Sequence, residues 1–352
     1  MSIKSQLKAA AAIMIFTFGI STYSAVAQTE KSSPLENEEE FVTRKLKEHH
    51  IPYLGLGIIK KGKLEQIKSY GEHQLGKPAP YNTLINVASL TKPVVAMLTL
   101  KLVATGSWDL DAPLYPYWVD PDVANDTRSK ILTTRHILTH QTGFVNWRRM
   151  HPTKKLTFDR DPGTKFGYSG EGFDYLKRAL ESKFKKKLEV LADSLIFRPL
   201  NMKESYFIFD KNIDQSRMAH WHDTLGNETY EAKMWSVAHA ADDLVTTVED
   251  YGKFMVATME GFGLPKPLFE DMITPHARTS PTASMGLGWQ ITPNFRKKEP
   301  VISHEGADKG IHTIVCWLPE SKDGLIIFTN GDNGWKVFRD LVERTFKEPV
   351  PR

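Results

Sequence analysis

The sequence predicts an α+β fold in which one antiparallel sheet is assembled from both ends of the chain. Strand-like runs occur over 53–70 and again over 288–330, whereas the stretch from about 91 to 240 consists mostly of helical segments and loops. A sheet must cover its apolar faces, so the economical arrangement packs helices against it and inserts the helical region beside it. The chain, at 352 residues, is long enough to bury such a core.

The first 27 residues carry the pattern of a secretory signal peptide. Lys4 and Lys8 precede an apolar run over 9–20, and residues 25–27 supply a cleavage site of the A-x-A type. The apolar run is shorter than the roughly 20 residues that span a bilayer. We therefore expect an exported protein, periplasmic or secreted, with a polar linker over 28–37 and no membrane span after signal removal.

The elements of the predicted domain follow directly after the linker. Apolar spacing over 38–50 predicts a helix, and Pro52 ends it. Two strands, 53–60 and 64–70, flank a Lys-Gly-Lys sequence that is typical of a hairpin turn. Further helices are predicted over 93–105, 129–140, 172–186, 188–197, 241–259 and 335–346. Further strands are predicted over 288–292, 301–304, 311–317 and 325–330.

These elements define one domain over 38–348. Its sheet subdomain is expected to come from about 38–90 and 241–348, and its helical subdomain from about 91–240. Periods typical of repeat proteins are absent from the sequence. Cys316 is the only cysteine, so an internal disulfide is excluded, and its position in an apolar strand-like run predicts a packing role.

Composition does not point to a nucleic-acid or membrane partner. The chain is 41% hydrophobic and 25% charged, with a formal net charge of +4, two units of which come from the predicted signal peptide. So small a surplus makes no electrostatic case for binding polyanions. The sequence does not indicate the oligomeric state.

The strongest chemical signal is the S-x-x-K sequence from Ser89 to Lys92. Residues three apart on a helix share a face, so the Lys92 amine can reach the Ser89 hydroxyl. Two other matches occur, over 5–8 in the predicted signal and over 182–185 on a lysine-rich helix face. Only the match at Ser89 opens a strongly apolar helix, which would bury Lys92 and favour the neutral amine that a base requires.

Two later segments add groups suited to acyl transfer. Residues 168–170, Tyr-Ser-Gly, place a phenol on a Gly-flanked loop before a helix. Residues 303–307, Ser-His-Glu-Gly-Ala, end a short strand, where small residues permit close approach of a ligand to the backbone.

In this order, the three motifs resemble those of class C β-lactamases, low-molecular-weight DD-peptidases and their esterase relatives. That family is marked by S-x-x-K, then Y-x-N or Y-S-x, then K-T-G or H-x-G. The segments 106–113, 136–143 and 286–289 also resemble family sequences at matching places, so the similarity runs from about 38 to 346. The resemblance implies a β-lactamase/transpeptidase-like fold.

The resemblance also implies a role for each residue. Ser89 would attack the carbonyl carbon, Lys92 would help to remove its proton, and Tyr168 would pass a proton to the leaving group. The backbone N–H groups of Ser89 and Ala307 would form the oxyanion hole, where each donor is typically worth about 3 kcal/mol. The implied substrate-binding residues are His304, Glu305, Gly306, Ser169 and Gly170. No cofactor and no metal are required for such acyl transfer.

Two departures from the family pattern bear on the substrate. Gly170 stands where penicillin-binding members have the Asn that holds the substrate's amide side chain. His304 stands where lactamases and peptidases keep a Lys, and histidine is largely neutral near pH 7. Both changes favour hydrolysis of an ester, amide or D-aminoacyl bond over efficient hydrolysis of β-lactams. The substrate would be a small molecule or a peptide, and peptides derived from the cell wall are included.

Other interpretations remain open at this point. A β-lactamase or cell-wall DD-carboxypeptidase has the same motifs, and a non-catalytic relative that binds cell-wall peptide would usually have lost Ser89, Lys92 or Tyr168. A zinc hydrolase is disfavoured because Ile137 occupies the position of the Glu base in H-E-x-x-H. An α/β-hydrolase is disfavoured because Glu171 replaces the last Gly of G-x-S-x-G.

Overall fold

The computed structural model describes residues 36–230 and 234–346. The predicted signal peptide and most of the predicted linker lie outside the described residues. The helices are α1 (Glu38–His49), α2 (Thr91–Ala104), α3 (Thr134–Leu138), α4 (Gly170–Phe184), α5 (Leu188–Ala192), α6 (Val248–Met259), α7 (Lys266–Met272) and α8 (Phe338–Phe346). Within these ranges, no helix combines the length and apolarity that crossing a membrane demands.

Thirteen strands accompany the helices in the described part of the chain. They are β1 (Tyr53–Lys60), β2 (Lys63–Gln74), β3 (Lys77–Pro78), β4 (Ile85–Asn86), β5 (Trp221–His222), β6 (Glu228–Tyr230), β7 (Val245–Thr246), β8 (Ala277–Ser280), β9 (Ala283–Met285), β10 (Gln290–Arg296), β11 (Glu299–Asp308), β12 (Ile311–Trp317) and β13 (Gly324–Thr329).

Nine of these strands form one antiparallel sheet in the order β3-β2-β1-β13-β12-β11-β10-β9-β8. The two ends of the chain meet where β1 pairs with β13, with Leu54 opposite Thr329. Helices α2 to α5 all lie in the sequence between β3 and β8, and they are inserted beside the sheet. The predicted α+β fold is therefore confirmed.

Different helices cover the two faces of this sheet. On the back face, α1 and α8 pack through Leu46 and Leu341 against strand residues that include Ile314. On the opposite face, here called the cleft face, Ile302 and Val315 join the large core formed with α2, α4 and α6. Because side chains alternate along a strand, neighbouring residues of β11 and β12 serve different faces.

Cys316 lies on the back face, among the residues packed by α1 and α8. Its side chain is buried, as the sequence predicted, and burial raises the pKa of the thiol above its ordinary value. A buried thiol of this kind is a packing residue.

The predicted helix over 241–259 was too long, because α6 begins only at Val248. The seven residues before it have other hydrogen-bond partners: Leu244 N–H donates to Thr91 Oγ1 (3.0 Å) and β7 pairs with β4. Thr247 then caps the helix by accepting from Asp250 N–H (3.2 Å). The end of this segment forms β7 because it pairs with β4, the strand that leads to Ser89.

The predicted helix over 129–140 also differs from the structure. A short 3-10 turn, Thr127–Lys130, is followed by α3, which starts afresh behind a capping box at Thr133. His140 follows α3 in the left-handed conformation, with φ of 53°. The short elements β3, β4, β8, β9 and α7 had no clear signal in the sequence.

Candidate active site

Ser89 lies on a tight turn between the short strand β4 and the buried helix α2. Ala88, directly before it, has φ of 48°, a left-handed conformation that is unfavourable for a residue with a Cβ. The Asn86 side-chain oxygen accepts the Ala88 N–H at 2.7 Å and holds this turn in place. The turn thus presents Ser89, which is half-buried, at the start of α2.

The Lys92 amine lies within hydrogen-bond distance of the candidate nucleophile. Helix α2 is buried nearly all round, and Lys92 is only 1% exposed. Its Nζ donates to Ser89 Oγ (3.0 Å) and to the carbonyl oxygen of Ala241 (2.8 Å). The contact with Ser89 is the one expected from S-x-x-K spacing, whereas the contact with Ala241 comes from a distant part of the chain.

Tyr168 completes the group of three predicted catalytic side chains. Lys92 Nζ lies 4.8 Å from the centroid of the Tyr168 ring. The imidazole of His140 stacks on the phenol, with ring centroids 4.2 Å apart and planes 29° apart. Ser89, Lys92 and Tyr168 are therefore brought together in one place, although Tyr168 lies 76 positions after Lys92 in the sequence.

His140 also fixes the backbone around Tyr168. Its carbonyl accepts Gly167 N–H (2.7 Å) and its Nδ1 accepts Ser169 N–H (3.1 Å). Since Nδ1 is an acceptor, the proton of the neutral ring is on Nε2, which is buried without a hydrogen-bond partner. Burial, together with the nearby charge of Lys92, holds the pKa of His140 well below its ordinary value.

The sequence did not indicate a functional role for His140. The segment over 136–143 drew attention to it, but no spacing rule indicates that a residue 28 positions before Tyr168 stacks on its ring. The Ala241 carbonyl was also missed, because a backbone oxygen has no side-chain signal.

Strand β11 passes close to the backbone of Ser89. A Cβ placed on Gly306 would lie 2.3 Å from the Val87 carbonyl oxygen and 3.2 Å from the Ser89 nitrogen, so only glycine fits here. Thr313 Oγ1 donates to the same Val87 oxygen (3.0 Å) and ties β12 to the turn. Ala307 follows Gly306 and is exposed. This proximity suits an oxyanion hole made by the N–H groups of Ser89 and Ala307, which stays a prediction.

His304 lies on the cleft face of β11, with its ring centroid 6.5 Å from that of Tyr168. Its Nδ1 is 2.8 Å from the Glu305 carbonyl oxygen, which can only accept, so Nδ1 carries the proton and Nε2 keeps a lone pair. Burial, reinforced by the charge of Lys92, lowers the pKa of His304 to about 3. The position that holds a Lys in lactamases is therefore neutral in this protein.

The structure corrects the prediction for Glu305, which was expected to bind substrate. Glu305 pairs with Ile314, and Ile314 packs on the back face. Directly paired residues point to the same side of a sheet, so the Glu305 carboxyl lies on the back face, away from Ser89. Burial there raises its pKa to about 7. Only its backbone lies beside the candidate site.

Ser169 and Gly170 lie beside Tyr168, but the Ser169 hydroxyl and the Gly170 N–H already form hydrogen bonds within the protein. Ser169 caps α4: its Oγ accepts Gly172 N–H (3.1 Å) and donates to the Val145 carbonyl (2.9 Å). The Gly170 N–H donates to Asn146 Oδ1 (2.8 Å). The Ser169 hydroxyl is therefore a structural group, and these two residues shape the wall of the site through the backbone.

Acidic groups also lie near this site. Asp242 follows Ala241, and burial raises its pKa, an effect that the Lys92 charge partly offsets. His239 is 2.9 Å from Asp174, and this pairing raises its pKa to about 9. Within the described ranges, no group of three or more histidine, cysteine or acidic side chains could hold a metal ion.

Comparison with known proteins identifies the family of this chain. A model of the beta-lactamase family matches residues 39–345. Esterase EstB of Burkholderia gladioli is 29% identical over 165 residues, which cover 39% of this chain and 42% of that esterase. Protein flp of Staphylococcus aureus (strain MRSA252) is 21% identical over 324 residues, covering 83% of this chain and 62% of flp. The chain thus spans less than two thirds of the length of either relative.

A solved structure shares the fold over most of its length. The beta-lactamase/D-alanine carboxypeptidase of Pseudomonas syringae superposes with a TM-score of 0.75 at 18% identity, covering 88% of this chain and 97% of that protein. The family match extends over most of the described chain and includes all three motifs. The chain therefore belongs to the beta-lactamase family, the β-lactamase-related serine hydrolases.

Proposed function

We propose that this protein is an exported serine hydrolase that forms an acyl-enzyme on Ser89. Its substrate would contain an ester, amide or D-aminoacyl peptide bond, and efficient β-lactam hydrolysis is not expected. The proposal rests chiefly on one observation: the buried Lys92 amine donates to Ser89 Oγ at 3.0 Å beside the Tyr168 ring.

The chemistry follows from these contacts. Once Lys92 has given up its own proton, its amine takes the Ser89 proton as Oγ attacks the carbonyl carbon, and the new C–O bond generates an oxyanion. The N–H groups of Ser89 and Ala307 stabilise that charge. Tyr168 delivers a proton to the leaving group and then, as the phenolate, takes a proton from the water that attacks the acyl carbon. Lys92 returns its proton to Ser89 Oγ as the bond between Oγ and the acyl group breaks. Every proton in this cycle is carried by a side chain of the chain itself or by water.

The neutral His304 supports the choice of substrate. A carboxylate-bearing substrate gains most from a fixed cation in a low-dielectric site, and the pKa of His304 is lowered to about 3, so it supplies none near pH 7. Its Nε2 lone pair instead accepts a hydrogen bond from a hydroxyl or amide donor. EstB, an esterase by name, is the relative with the highest identity reported above, which agrees with this preference.

The test is hydrolysis of a short-chain p-nitrophenyl ester by the protein purified without residues 1–27, next to a Ser89→Ala control. We expect turnover that disappears with Ser89, and covalent labelling of Ser89 by a fluorophosphonate probe. A penicillin and a D-alanyl-D-alanine peptide should be poorer substrates. Efficient penicillin hydrolysis would support the β-lactamase alternative, and labelling without any turnover would support a peptide-binding relative.

Export is supported by the sequence of residues 1–27 alone. The expected result is a processed protein outside the cytoplasm whose first residue is Gln28. Terminal sequencing of the protein recovered from the periplasm and from the medium would test the cleavage site. Retention of Met1 on cytoplasmic protein would contradict it.

A further inference from the structure

Asp174, on the second turn of α4, binds two consecutive residues of a distant part of the chain. Its Oδ1 accepts Ala240 N–H (2.8 Å), and its Oδ2 lies 2.9 Å from His239 Nδ1. The carboxylate raises the pKa of His239 to about 9, so near pH 7 the imidazolium donates to Oδ2 as one half of an ion pair. Both oxygens of the half-buried Asp174 side chain are therefore used to hold this backbone.

A second side chain of α4 holds the same part of the chain. Lys177, three residues further along the helix and only 4% exposed, donates from Nζ to the Ala238 carbonyl oxygen. Residues three apart on a helix share a face, so the two side chains reach neighbouring residues. Further on, Leu244 N–H donates to Thr91 Oγ1 (3.0 Å). Residues 238–244, here called the acceptor segment, are therefore fixed at both ends.

The acceptor segment carries the Ala241 carbonyl oxygen, which accepts from Lys92 Nζ at 2.8 Å. A neutral amine has two N–H bonds and one lone pair, and the lone pair must face Ser89 Oγ before the amine can take its proton. With one N–H held by the Ala241 oxygen, rotation about the Cε–Nζ bond is restricted, and Ser89 Oγ lies 3.0 Å from Nζ. The position of this carbonyl therefore bears on the orientation of the base.

We propose that Asp174 is a positioning residue for Lys92. By fixing the backbone at Ala240, it keeps the following carbonyl, that of Ala241, aimed at the Lys92 amine. This inference rests on the proposed function, in which Lys92 is the base. Helix α4 also begins two residues after Tyr168, so one helix sets the positions of both the phenol and the amine.

The first experiment measures kcat/KM for p-nitrophenyl acetate at pH 8. Asp174→Ala should lower it about tenfold, because the base is misdirected. Asp174→Leu, which restores volume without oxygens, should lose as much. Asp174→Asn should keep most of the wild-type value, since its amide oxygen can accept Ala240 N–H. Its amide N–H can donate to His239, which is neutral at this pH once the carboxylate is gone.

Glu181→Ala is the matched control on the same helix. Glu181 accepts Leu188 N–H (3.0 Å) and lies 3.9 Å from Lys187, so it makes the same two kinds of contact as Asp174. It holds the start of α5 and not the acceptor segment. Its loss should therefore lower Tm and leave kcat/KM unchanged.

The second experiment observes the Lys92 amine directly and needs no turnover. In protein labelled with 15N-lysine, the Nζ resonance of Lys92 is identified by its absence from Lys92→Met. Asp174→Ala should shift this resonance, whereas Asp174→Asn and Glu181→Ala should leave it in place. Adding Asp174→Ala to Lys92→Met should cause no further loss of the residual hydrolysis by folded protein, since no amine is left to position.

These measurements separate the two proposals. If Ser89→Ala protein still hydrolyses esters, the proposed function fails, while a shifted Lys92 resonance in Asp174→Ala would still support the positioning of the amine. If folded Asp174→Ala and Asp174→Leu proteins keep both kcat/KM and the resonance, the positioning role is wrong and the hydrolase remains. A loss of activity without any shift of the resonance, or an equal loss in Asp174→Asn, would also overturn it.

Discussion

His304 and Glu305 are neighbours in the sequence, yet the sheet places their side chains in two different regions of the molecule. His304 faces the cleft beside Tyr168, and Glu305 faces the helices of the back face. Burial moves the two pKa values in opposite directions, to about 3 for His304 and to about 7 for Glu305. In both cases burial disfavours the charged form.

The comparison teaches that the same physical effect has different consequences on the two faces. On the cleft face, a neutral histidine lies beside the candidate catalytic residues, where we propose that it influences the choice of substrate. On the back face, the half-buried Glu305 carboxyl lies away from Ser89, so we expect its ionisation to affect the stability of the fold. Substitutions on the cleft face should therefore change turnover, and a substitution on the back face should change the free energy of unfolding.

The largest effect is expected from Lys92→Ala on the cleft face. Removing the amine that donates to Ser89 Oγ should lower kcat/KM for a p-nitrophenyl ester by about 10³-fold or more. Lys92→Met, which keeps the volume of the side chain, should lose as much while retaining a cooperative thermal transition. Substantial activity in either folded variant would remove Lys92 from the mechanism.

The next effect concerns the stacked pair of His140 and Tyr168. Tyr168→Phe should lower kcat about 10²-fold. His140→Asn should lower it about tenfold, because asparagine tolerates the left-handed backbone and can accept Ser169 N–H, but lacks the ring that orients the phenol.

A double-mutant cycle decides whether His140 acts through Tyr168. The protein with both changes should be no slower than Tyr168→Phe alone, since there is then no phenolic proton left to position. Losses that simply multiply, with KM unchanged, would show that His140 contributes to stability of the loop and not to the orientation of Tyr168.

A smaller effect on kcat/KM is expected when a positively charged side chain is introduced on the cleft face. His304→Lys should raise kcat/KM for a carboxylate-bearing β-lactam, relative to that for a neutral ester, by about tenfold. Because both substrates are measured with the same protein, the ratio of the two kcat/KM values does not depend on how much of the enzyme is folded. An unchanged ratio would mean that His304 does not control the charge preference.

The smallest effect is expected on the back face, from Glu305→Gln. The folded-state pKa of about 7 lies above the ordinary value of 4.5, so the native state of the wild type loses stability as the pH rises from 4.5 to 7. Glutamine has no charge to bury, so the variant should be more stable by about 1–3 kcal/mol at pH 8, with little gain near pH 4. Urea unfolding at both pH values measures this, and ester hydrolysis should be unaltered. Impaired ester hydrolysis by the folded variant would instead show that Glu305 contributes to the active site.

Much of the fold followed from local patterns. The hairpin of β1 and β2, the apolar helix α2 and the strands of the C-terminal half were all indicated by periodicity and turn residues. Where prediction failed, residues far away in the sequence supplied hydrogen-bond partners that replaced those of a helix. Residues 241–247 were expected to be helical, and they lie against β4 instead because Thr91 and Ile85 offer partners that the local sequence does not reveal.

By itself, the sequence identified the candidate catalytic residues: a spacing of three is enough to bring the Lys92 amine within reach of the Ser89 hydroxyl. The tertiary structure alone decided what surrounds them. The His140 ring behind Tyr168, the Ala241 carbonyl on Lys92 and the face occupied by Glu305 all join residues far apart in the chain. Such contacts depend on how the elements pack, and packing is a property of the whole core, so no local spacing encodes them.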